Sequence, residues 1–228
     1  MKRSEYTSTE VLNQDFASRI VKMLKEGIDT KGRASLLVSG GRTPMGLFAA
    51  LSQSELAWDK VDISLADERW VESTDAASNE KLVRENLLQN NAAVANFVGM
   101  KTAHADANDG LEECTARINS MSQPFDVLIL GMGEDGHTAS LFPCSTQLAA
   151  GLDMQSGNIL VAVTPTSAPN QRMSLTLPAL LSSKNIFLHL TGDSKKAVLQ
   201  SALDGEDETA MPIRAVLNRA DVELVWAP

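Results

Sequence analysis

The apolar residues of this chain recur with two different periods, one typical of helices and one typical of buried strands. Near the start, four apolar residues stand at helical spacing: Leu12, Phe16, Ile20 and Leu24. Residues 7–10 fit a capping box ahead of them, and Gly27 is a plausible stop behind them. The pattern predicts an amphipathic first helix.

A unit of strand, turn and helix follows. Residues 34–38 form a short, mostly apolar run, which Ser39-Gly40-Gly41 follows. Thr43 and Pro44 are then expected as the N-cap and the first residue of a helix. The same periods predict strands at residues 61–66, 97–98, 125–130, 159–163, 186–190 and 222–226, and helices from Ser78 to about Leu88, near 107–120, after Lys195 and after Pro212.

The order of these elements predicts the fold class. Strands that are apolar throughout and alternate with helices indicate an α/β fold, with a mainly parallel sheet covered on both faces. We expect one domain over residues 1–228. Ligands of such sheets bind beyond the carboxyl ends of the strands, where three polar segments are expected: residues 39–44, 67–72 and 131–143.

Composition narrows the class of ligand. The chain has 228 residues, with 29 acidic and 20 basic side chains and a formal net charge of -9. Binding to a nucleic-acid backbone needs a basic face, so no nucleic-acid partner is expected. A small anionic ligand stays compatible with this charge, because a few cations focused in a pocket act locally.

Targeting and redox signals indicate a cytoplasmic protein. No window approaches about eighteen consecutive apolar residues, so neither a membrane span nor a signal peptide is expected. Cys114 and Cys144 lack metal-ligand spacing and a nearby partner, so we expect free, reduced thiols. The sequence shows no exposed apolar stripe, so it does not indicate an oligomeric state.

The segment Ser39-Gly40-Gly41-Arg42-Thr43-Pro44 has the chemistry of an anion-binding turn. Two glycines let the backbone approach a ligand, and the helix start behind them presents unpaired N–H groups. Glycines alone fit a plain tight turn equally well. Arg42 and the hydroxyls of Ser39 and Thr43 favour a phosphate.

A literal G-x-G-x-x-G occurs at residues 131–136, directly after a strong strand. A dinucleotide site is rejected, because Glu134 and Asp135 would lie against the pyrophosphate and Pro143 would cut short the required helix. What remains is a glycine-shaped loop that holds Asp135 close to His137. An imidazole oriented by a carboxylate is a general-base arrangement.

Other charged residues follow predicted strands or precede predicted helices. Asp67 and Arg69 lie beyond a strand end, although their charge alone favours a solvated surface turn. Arg172 and Lys195, each taken alone, are typical of ordinary surface. Only their arrangement with the two glycine-rich segments gives them a functional interpretation.

Five segments, in order, carry a family resemblance: SGGRTP at 39–44, LADERWV at 65–71 with Ser78-Asn79 shortly after, GMGEDGHTASLFP at 131–143, the segment around Arg172, and TGDSKKAVL at 191–199. The set resembles the 6-phosphogluconolactonases, in the family that also contains glucosamine-6-phosphate deaminase. The resemblance implies a three-layer α/β/α, Rossmann-like sandwich, as in sugar-phosphate isomerases. It also implies hydrolysis of 6-phospho-D-glucono-1,5-lactone to 6-phosphogluconate, the second step of the oxidative pentose phosphate pathway.

The resemblance further implies roles for single side chains. His137 is the expected base that takes a proton from the attacking water, with Asp135 orienting its imidazole. Arg69 is expected to face the lactone, with Asp67 within reach. The expected phosphate-binding set is Gly40, Gly41, Arg42, Thr43, Arg172 and Lys195. The expected partner is a small sugar-phosphate lactone, and this chemistry requires no metal and no organic cofactor.

Two alternatives stay open. The first is an amino-sugar-phosphate deaminase or isomerase of the same fold. Deaminases carry a glutamate where this chain has Phe142 and a tyrosine where it has Arg69, so both positions favour the lactonase. Glu72 stands where lactonases often have proline, which leaves the conformation of that loop open. The second alternative is a non-catalytic sugar-phosphate sensor, which has no reason to retain Asp135 and His137.

Overall fold

The computed structural model describes all residues from Met1 to Pro228. The strands are β1 (Lys2–Glu5), β2 (Ala34–Val38), β3 (Val61–Leu65), β4 (Asp67–Arg69), β5 (Asn96–Phe97), β6 (Val127–Leu130), β7 (Leu160–Val163), β8 (Arg172–Leu175), β9 (Asn185–Thr191) and β10 (Val222–Ala227). The helices are α1 (Thr9–Lys31), α2 (Met45–Gln53), α3 (Asn79–Asn86), α4 (Leu111–Asn119), α5 (Leu148–Leu152), α6 (Leu177–Leu181), α7 (Asp193–Leu203) and α8 (Ile213–Leu217), with 3₁₀ turns at Trp58–Lys60 and Asn90–Val94.

Seven strands form one parallel sheet in the order β1-β10-β9-β6-β2-β3-β5. Every neighbouring pair in it is parallel, which confirms the predicted mainly parallel α/β sheet flanked by helices. The chain runs from β2 outward through β3 to β5, and then returns to the other side of β2 as β6. The strand order therefore reverses between β2 and β6, and a crevice forms at such a point.

A second, antiparallel sheet has the order β4-β8-β7. The sequence pattern did not predict β4 or β8, because both are short and carry charged residues. Residues 159–163 were predicted as a strand, and β7 confirms it, but this strand belongs to the antiparallel sheet. In the β4–β8 pair, Asp67 faces Ser174 and Arg69 faces Arg172. This pairing brings together two arginines that are far apart in the sequence.

Helix α1 is longer than the sequence pattern predicted. Ser8 is its N-cap and accepts from the Val11 N–H, and Gly32 is its C-cap. The expected stop at Gly27 is wrong, because this glycine serves packing. A Cβ on Gly27 would lie 2.8 Å from the carboxyl carbon of Asp126, so only glycine lets this buried carboxylate approach the helix.

Other element boundaries also differ from the predicted ones. Strand β1 was missed, since its residues KRSE are polar and it lies at the sheet edge. Helix α2 begins at Met45, one residue later than expected, with Pro44 as its cap. Helix α7 begins at Asp193, so Lys195 lies inside its first turn. No helix of the structure has the length and apolar character needed to cross a membrane.

His189 is a buried polar residue in the centre of the parallel sheet. It lies on β9 between Leu188 and Leu190, and its ring packs edge-on against Phe16 at a centroid distance of 5.6 Å. Neither ring nitrogen has a hydrogen-bond partner. Burial lowers the pKa of His189 to about 4, so the imidazole is neutral in the folded protein near neutral pH.

This burial predicts a specific loss of stability in acid. The pKa of 6.5 in the unfolded chain falls to about 4 on folding, so protons favour the unfolded state below pH 6.5. Between pH 7 and pH 5 we expect His189 to lower the free energy of unfolding by roughly 2 kcal/mol. The change His189→Leu should remove this part of the pH dependence, measured by urea unfolding at both pH values.

The matched control is His104→Leu, because His104 is exposed on the surface. Its unfolding free energy should retain the pH dependence of the unchanged protein. An equal pH dependence in His189→Leu and the unchanged protein would contradict the assignment.

Candidate active site

A cavity of about 330 Å³ opens at the carboxyl edge of the parallel sheet, above the reversal point between β2 and β6. Eight of the residues predicted from the sequence line it: Gly40, Gly41, Thr43, Asp67, Arg69, His137, Arg172 and Lys195. Asp135 does not line the cavity itself but contacts His137. Three cationic side chains and one acidic side chain therefore face the cavity, in a chain whose net charge is -9.

The turn after β2 has the geometry that the sequence predicted for an anion site. The backbone N–H groups of residues Gly40 to Thr43 donate to no protein acceptor. Gly40 admits the side chain of Asn79, because a Cβ there would lie 1.9 Å from Asn79 Oδ1. Thr43 Oγ1 lies 3.4 Å from Thr191 Oγ1 at the end of β9, so the turn is tied to the neighbouring strand. Free N–H groups in a turn directly before a helix N-terminus are suited to an anion.

Arg42 is the predicted site residue that the structure does not bring into the cavity. Its side chain is exposed and is absent from the cavity lining, although the residues on both sides of it contribute. The chain turns at Gly41 before α2, which leaves Arg42 on the surface. The expectation of a phosphate contact from Arg42 therefore has no support in this geometry.

His137 and Asp135 form the pair that the glycine-rich loop was expected to hold. His137 Nδ1 lies 2.6 Å from Asp135 Oδ1, and the His137 backbone N–H donates to the same oxygen at 3.1 Å. Burial would raise the pKa of Asp135, but these contacts with His137 outweigh it and keep the pKa below its usual value. An ionised carboxylate accepts the Nδ1 proton, so Nε2 is left with its lone pair free.

The ring of His137 is also held from one side. It packs against the Phe142 ring at a centroid distance of 4.2 Å and an interplanar angle of 31°. Gly133 N–H donates to His137 O at 2.9 Å, and Thr138 Oγ1 donates to Gly131 O at 2.9 Å, which closes the loop on itself.

The expected absence of a long helix after this loop is confirmed, since α5 begins only at Leu148. The loop therefore presents an oriented imidazole at the end of β6.

Arg69 and Arg172 face each other across the small sheet and neither forms an ion pair. Arg69 Nη1 donates to Ala77 O at 2.7 Å, and Arg172 Nη2 donates to Pro169 O at 3.0 Å. Each has a buried Nε–H with no acceptor. Burial, and then the charge of Arg69, lower the pKa of Arg172. Like charges directly opposite on two strands destabilise a sheet. An anion between the two guanidinium groups would reduce their repulsion and accept from their unpaired N–H groups.

Asp67 and Glu68 stabilise the surroundings of these arginines. Asp67 Oδ2 accepts from Ser140 Oγ at 2.6 Å, which joins the glycine-rich loop to β4. Glu68 is fully buried and accepts from the backbone N–H groups of Arg69, Asn79 and Glu80, each at 2.7 Å. Burial raises the pKa of Glu68 to about 7, against the opposing effect of these N–H donors.

Asn79 lines the cavity, although the sequence pattern predicts no role for it. Its Nδ2 donates to Asp67 O at 2.9 Å, and its side chain lies against Gly40. Ser78 caps α3 as predicted, by accepting from the Lys81 N–H. Asn79 and Glu68 could not be assigned roles from sequence spacing, because each acts through a contact between separate elements.

Lys195 completes the cationic lining. Its Nζ donates to Met132 O at 3.0 Å and lies 2.7 Å from Glu134 Oε1. No group of three or more His, Cys, Asp or Glu side chains in the structure is arranged to hold a metal ion. The cavity thus combines one oriented imidazole, a turn of free N–H groups and three cations.

Comparison with known proteins places this geometry among relatives. The family model of glucosamine-6-phosphate isomerases/6-phosphogluconolactonase matches residues 7–226. A 6-phosphogluconolactonase of Pseudomonas aeruginosa is 41% identical over 212 residues, which is 93% of this chain and 89% of that protein. One of Neisseria meningitidis is 42% identical over 226 residues, 96% of this chain and 94% of the relative.

Solved structures agree with these relatives. The crystal structure of a 6-phosphogluconolactonase from Shewanella baltica has a TM-score of 0.97 and 45% identity, and the match covers 100% of this chain and 98% of the other. A monomeric glucosamine-6-phosphate deaminase has a TM-score of 0.82 with 20% identity, covering 100% and 97%. At that identity the second likeness concerns the fold alone.

The free N–H turn and the unpaired arginines predict that inorganic phosphate stabilises the folded protein. At tenfold above its Kd, phosphate should add about 1.4 kcal/mol to the unfolding free energy, or roughly 3 to 6 °C in Tm. Thermal unfolding in phosphate, against chloride at equal ionic strength, measures the shift. Arg172→Gln should lose most of it.

Arg42→Gln is the matched control, since Arg42 lies in the same turn but its side chain is outside the cavity lining. It should keep the phosphate shift of the unchanged protein. Equal shifts in the Arg172 and Arg42 variants would contradict an anion site at Arg172.

Proposed function

The chain belongs to the family of glucosamine-6-phosphate isomerases and 6-phosphogluconolactonases, and from this we propose that it hydrolyses 6-phospho-D-glucono-1,5-lactone to 6-phosphogluconate. The observation that carries the proposal is His137, whose Nδ1 is engaged by Asp135 while Nε2 stays free in a cavity lined by cations. The relatives of about 40% identity that cover almost the whole chain are 6-phosphogluconolactonases.

The reaction begins at the imidazole. His137 Nε2 takes a proton from a water molecule as the water oxygen forms a bond to the lactone carbonyl carbon, C1. The C1–ring oxygen bond then breaks, and the ring oxygen receives a proton, which the imidazolium can return. Asp135 fixes the tautomer and stabilises the imidazolium, since its carboxylate already accepts the Nδ1 proton. A positioned base of this kind contributes about 10² to 10⁴ in rate.

Negative charge develops on the carbonyl oxygen during this attack. Arg69 is the proposed partner of that charge, because it lines the cavity and has a buried N–H without an acceptor. Preorganised donors in a site shielded from water stabilise such charge more than solvent does. Asp67, held by Ser140, lies two residues before Arg69 and lines the same cavity.

The phosphate group is proposed to lie on the turn of Gly40, Gly41 and Thr43. Four consecutive backbone amides there have no acceptor, counting the backbone N–H of Arg42, and α2 begins behind them. Arg172 and Lys195 supply the cationic side chains. The Arg42 side chain has no place in this proposal. A phosphate bound by backbone and side chains fixes the lactone relative to His137.

A deaminase activity is not favoured by the site. The position that carries a glutamate in the deaminases is Phe142 here, and its ring packs against His137 instead of offering a carboxylate. An apolar ring can orient the imidazole but cannot move a proton. Lactone hydrolysis and ammonia release from glucosamine 6-phosphate, assayed side by side, distinguish the two activities.

Removal of the proposed base should abolish most of the turnover without abolishing binding. His137→Ala should lower kcat by about 10² to 10⁴ and leave the Kd for 6-phosphogluconate within about threefold. Lactone consumption, corrected for spontaneous hydrolysis, gives kcat, and calorimetry gives Kd. Hydrolysis at the original rate by this variant would remove His137 from the mechanism.

Removal of a phosphate partner should instead affect binding. Lys195→Ala and Arg172→Ala should each raise KM by about tenfold or more with a smaller change in kcat, because the phosphate is remote from C1. Lys196→Ala is the matched control, since the neighbouring lysine pairs with Glu5 outside the cavity. An unchanged KM in both site variants would contradict the phosphate assignment.

A further inference from the structure

One contact at the cavity is not used in the proposed reaction. Glu134 Oε1 lies 2.7 Å from Lys195 Nζ, and the same ammonium donates to Met132 O. Lys195 lines the cavity, whereas Glu134 does not, and the Glu134 side chain is 66% exposed. The free protein therefore holds its phosphate-binding lysine in an ion pair with a carboxylate from the glycine-rich loop.

A ligand must share or break this pair. A lysine ammonium has three N–H donors, and Met132 O and Glu134 engage two of them. A phosphate that accepts from Lys195 either displaces the Glu134 carboxylate or binds beside it. Beside it, a phosphate oxygen at a normal contact of about 2.8 Å lies within about 6 Å of a like charge. Either way, Glu134 weakens the binding of phosphate.

The other two cations of the cavity have no such partner. Arg69 and Arg172 each retain a buried N–H without an acceptor. Hydrolysis of a lactone adds a carboxylate to the ligand, so the product has more negative charge than the substrate. Three cations without an ion-pair partner would therefore retain the product strongly, and a competing carboxylate on the phosphate-binding lysine weakens that retention.

We propose that Glu134 is an internal competitor for the phosphate site. It pairs with Lys195 when the site is free, gives way to the substrate phosphate, and pairs again as the phosphorylated product leaves. Because it acts through Lys195, Glu134 is a positioning residue and touches neither C1 nor the attacking water. The inference rests on the proposed function in placing the phosphate at Lys195.

The test is Glu134→Gln, which keeps the size of the side chain and removes its charge. The Kd values for 6-phosphogluconate and for inorganic phosphate, measured by calorimetry, should both fall by about two- to fivefold, as for a partly exposed ion pair. KM for the lactone should fall more than kcat changes. A Kd that is unchanged or higher in Glu134→Gln overturns the inference.

Two further variants separate competition at Lys195 from other effects. Glu72→Gln removes one exposed carboxylate outside the cavity, and should change both Kd values by less than about 1.5-fold. In a Lys195→Met background, Glu134→Gln should also change them by less than about 1.5-fold. The inference is overturned if Glu72→Gln lowers the two Kd values as much as Glu134→Gln does. It is also overturned if Glu134→Gln lowers them fully in the Lys195→Met background.

Inorganic phosphate tests the inference independently of turnover. If Glu134→Gln tightens phosphate binding while the unchanged protein does not hydrolyse the lactone, the inference stands and the proposed function fails. If the lactone is hydrolysed and Kd is the same in both proteins, the inference alone fails. If the unchanged protein binds neither phosphate nor 6-phosphogluconate, both fail.

Discussion

The geometry of the cavity depends on one residue, Ala66, at which the chain leaves the parallel sheet and enters the antiparallel one. Its N–H donates to Val38 O at 2.8 Å, and its carbonyl accepts from Leu175 N at 2.9 Å. A single buried residue therefore bonds both sheets. Because successive side chains of a strand point to opposite sides, this junction places Asp67 and Arg69 on the cavity side of β4. Glu68 points the other way and binds the start of α3.

The same junction sets the position of the anion-binding turn. Glu68 holds the first N–H groups of α3, and this fixes Asn79 between Asp67 O and Gly40. The side chains that would contact the lactone and the amides that would contact its phosphate are thus connected by a chain of buried contacts. This connection uses residues from three elements, and it explains why a carboxylate is buried completely behind the site without touching the cavity.

The sequence predicted this edge of the fold better than it predicted the site's assembly. The apolar strands indicated the parallel sheet, because a strand buried on both faces is a continuous apolar run in the sequence. The turns that follow these strands indicated the segments at the carboxyl edge. Strands β4 and β8 escaped prediction, because pairing in space, and not local pattern, makes them strands. Arg69 and Arg172 look like ordinary surface in the sequence for the same reason. Arg42 is the opposite case. Its place in the glycine-rich motif predicts a site residue, but the turn directs its side chain to the surface.

The buried polar atoms without a hydrogen-bond partner show where the fold is locally destabilised. Five such side-chain atoms occur, and four of them belong to three residues that line the cavity: Arg69, Arg172 and His189. Elsewhere Ser183 Oγ is the single case. Native structures pair nearly all buried polar groups, so their concentration around one cavity is not expected from packing alone. Two of these atoms belong to the positively charged guanidinium groups of Arg69 and Arg172, and neither has a hydrogen-bond acceptor within the protein. The rule that buried polar groups are paired within the protein is broken most often where a ligand supplies the missing partner. Here it is broken at the site where the anion is proposed to bind.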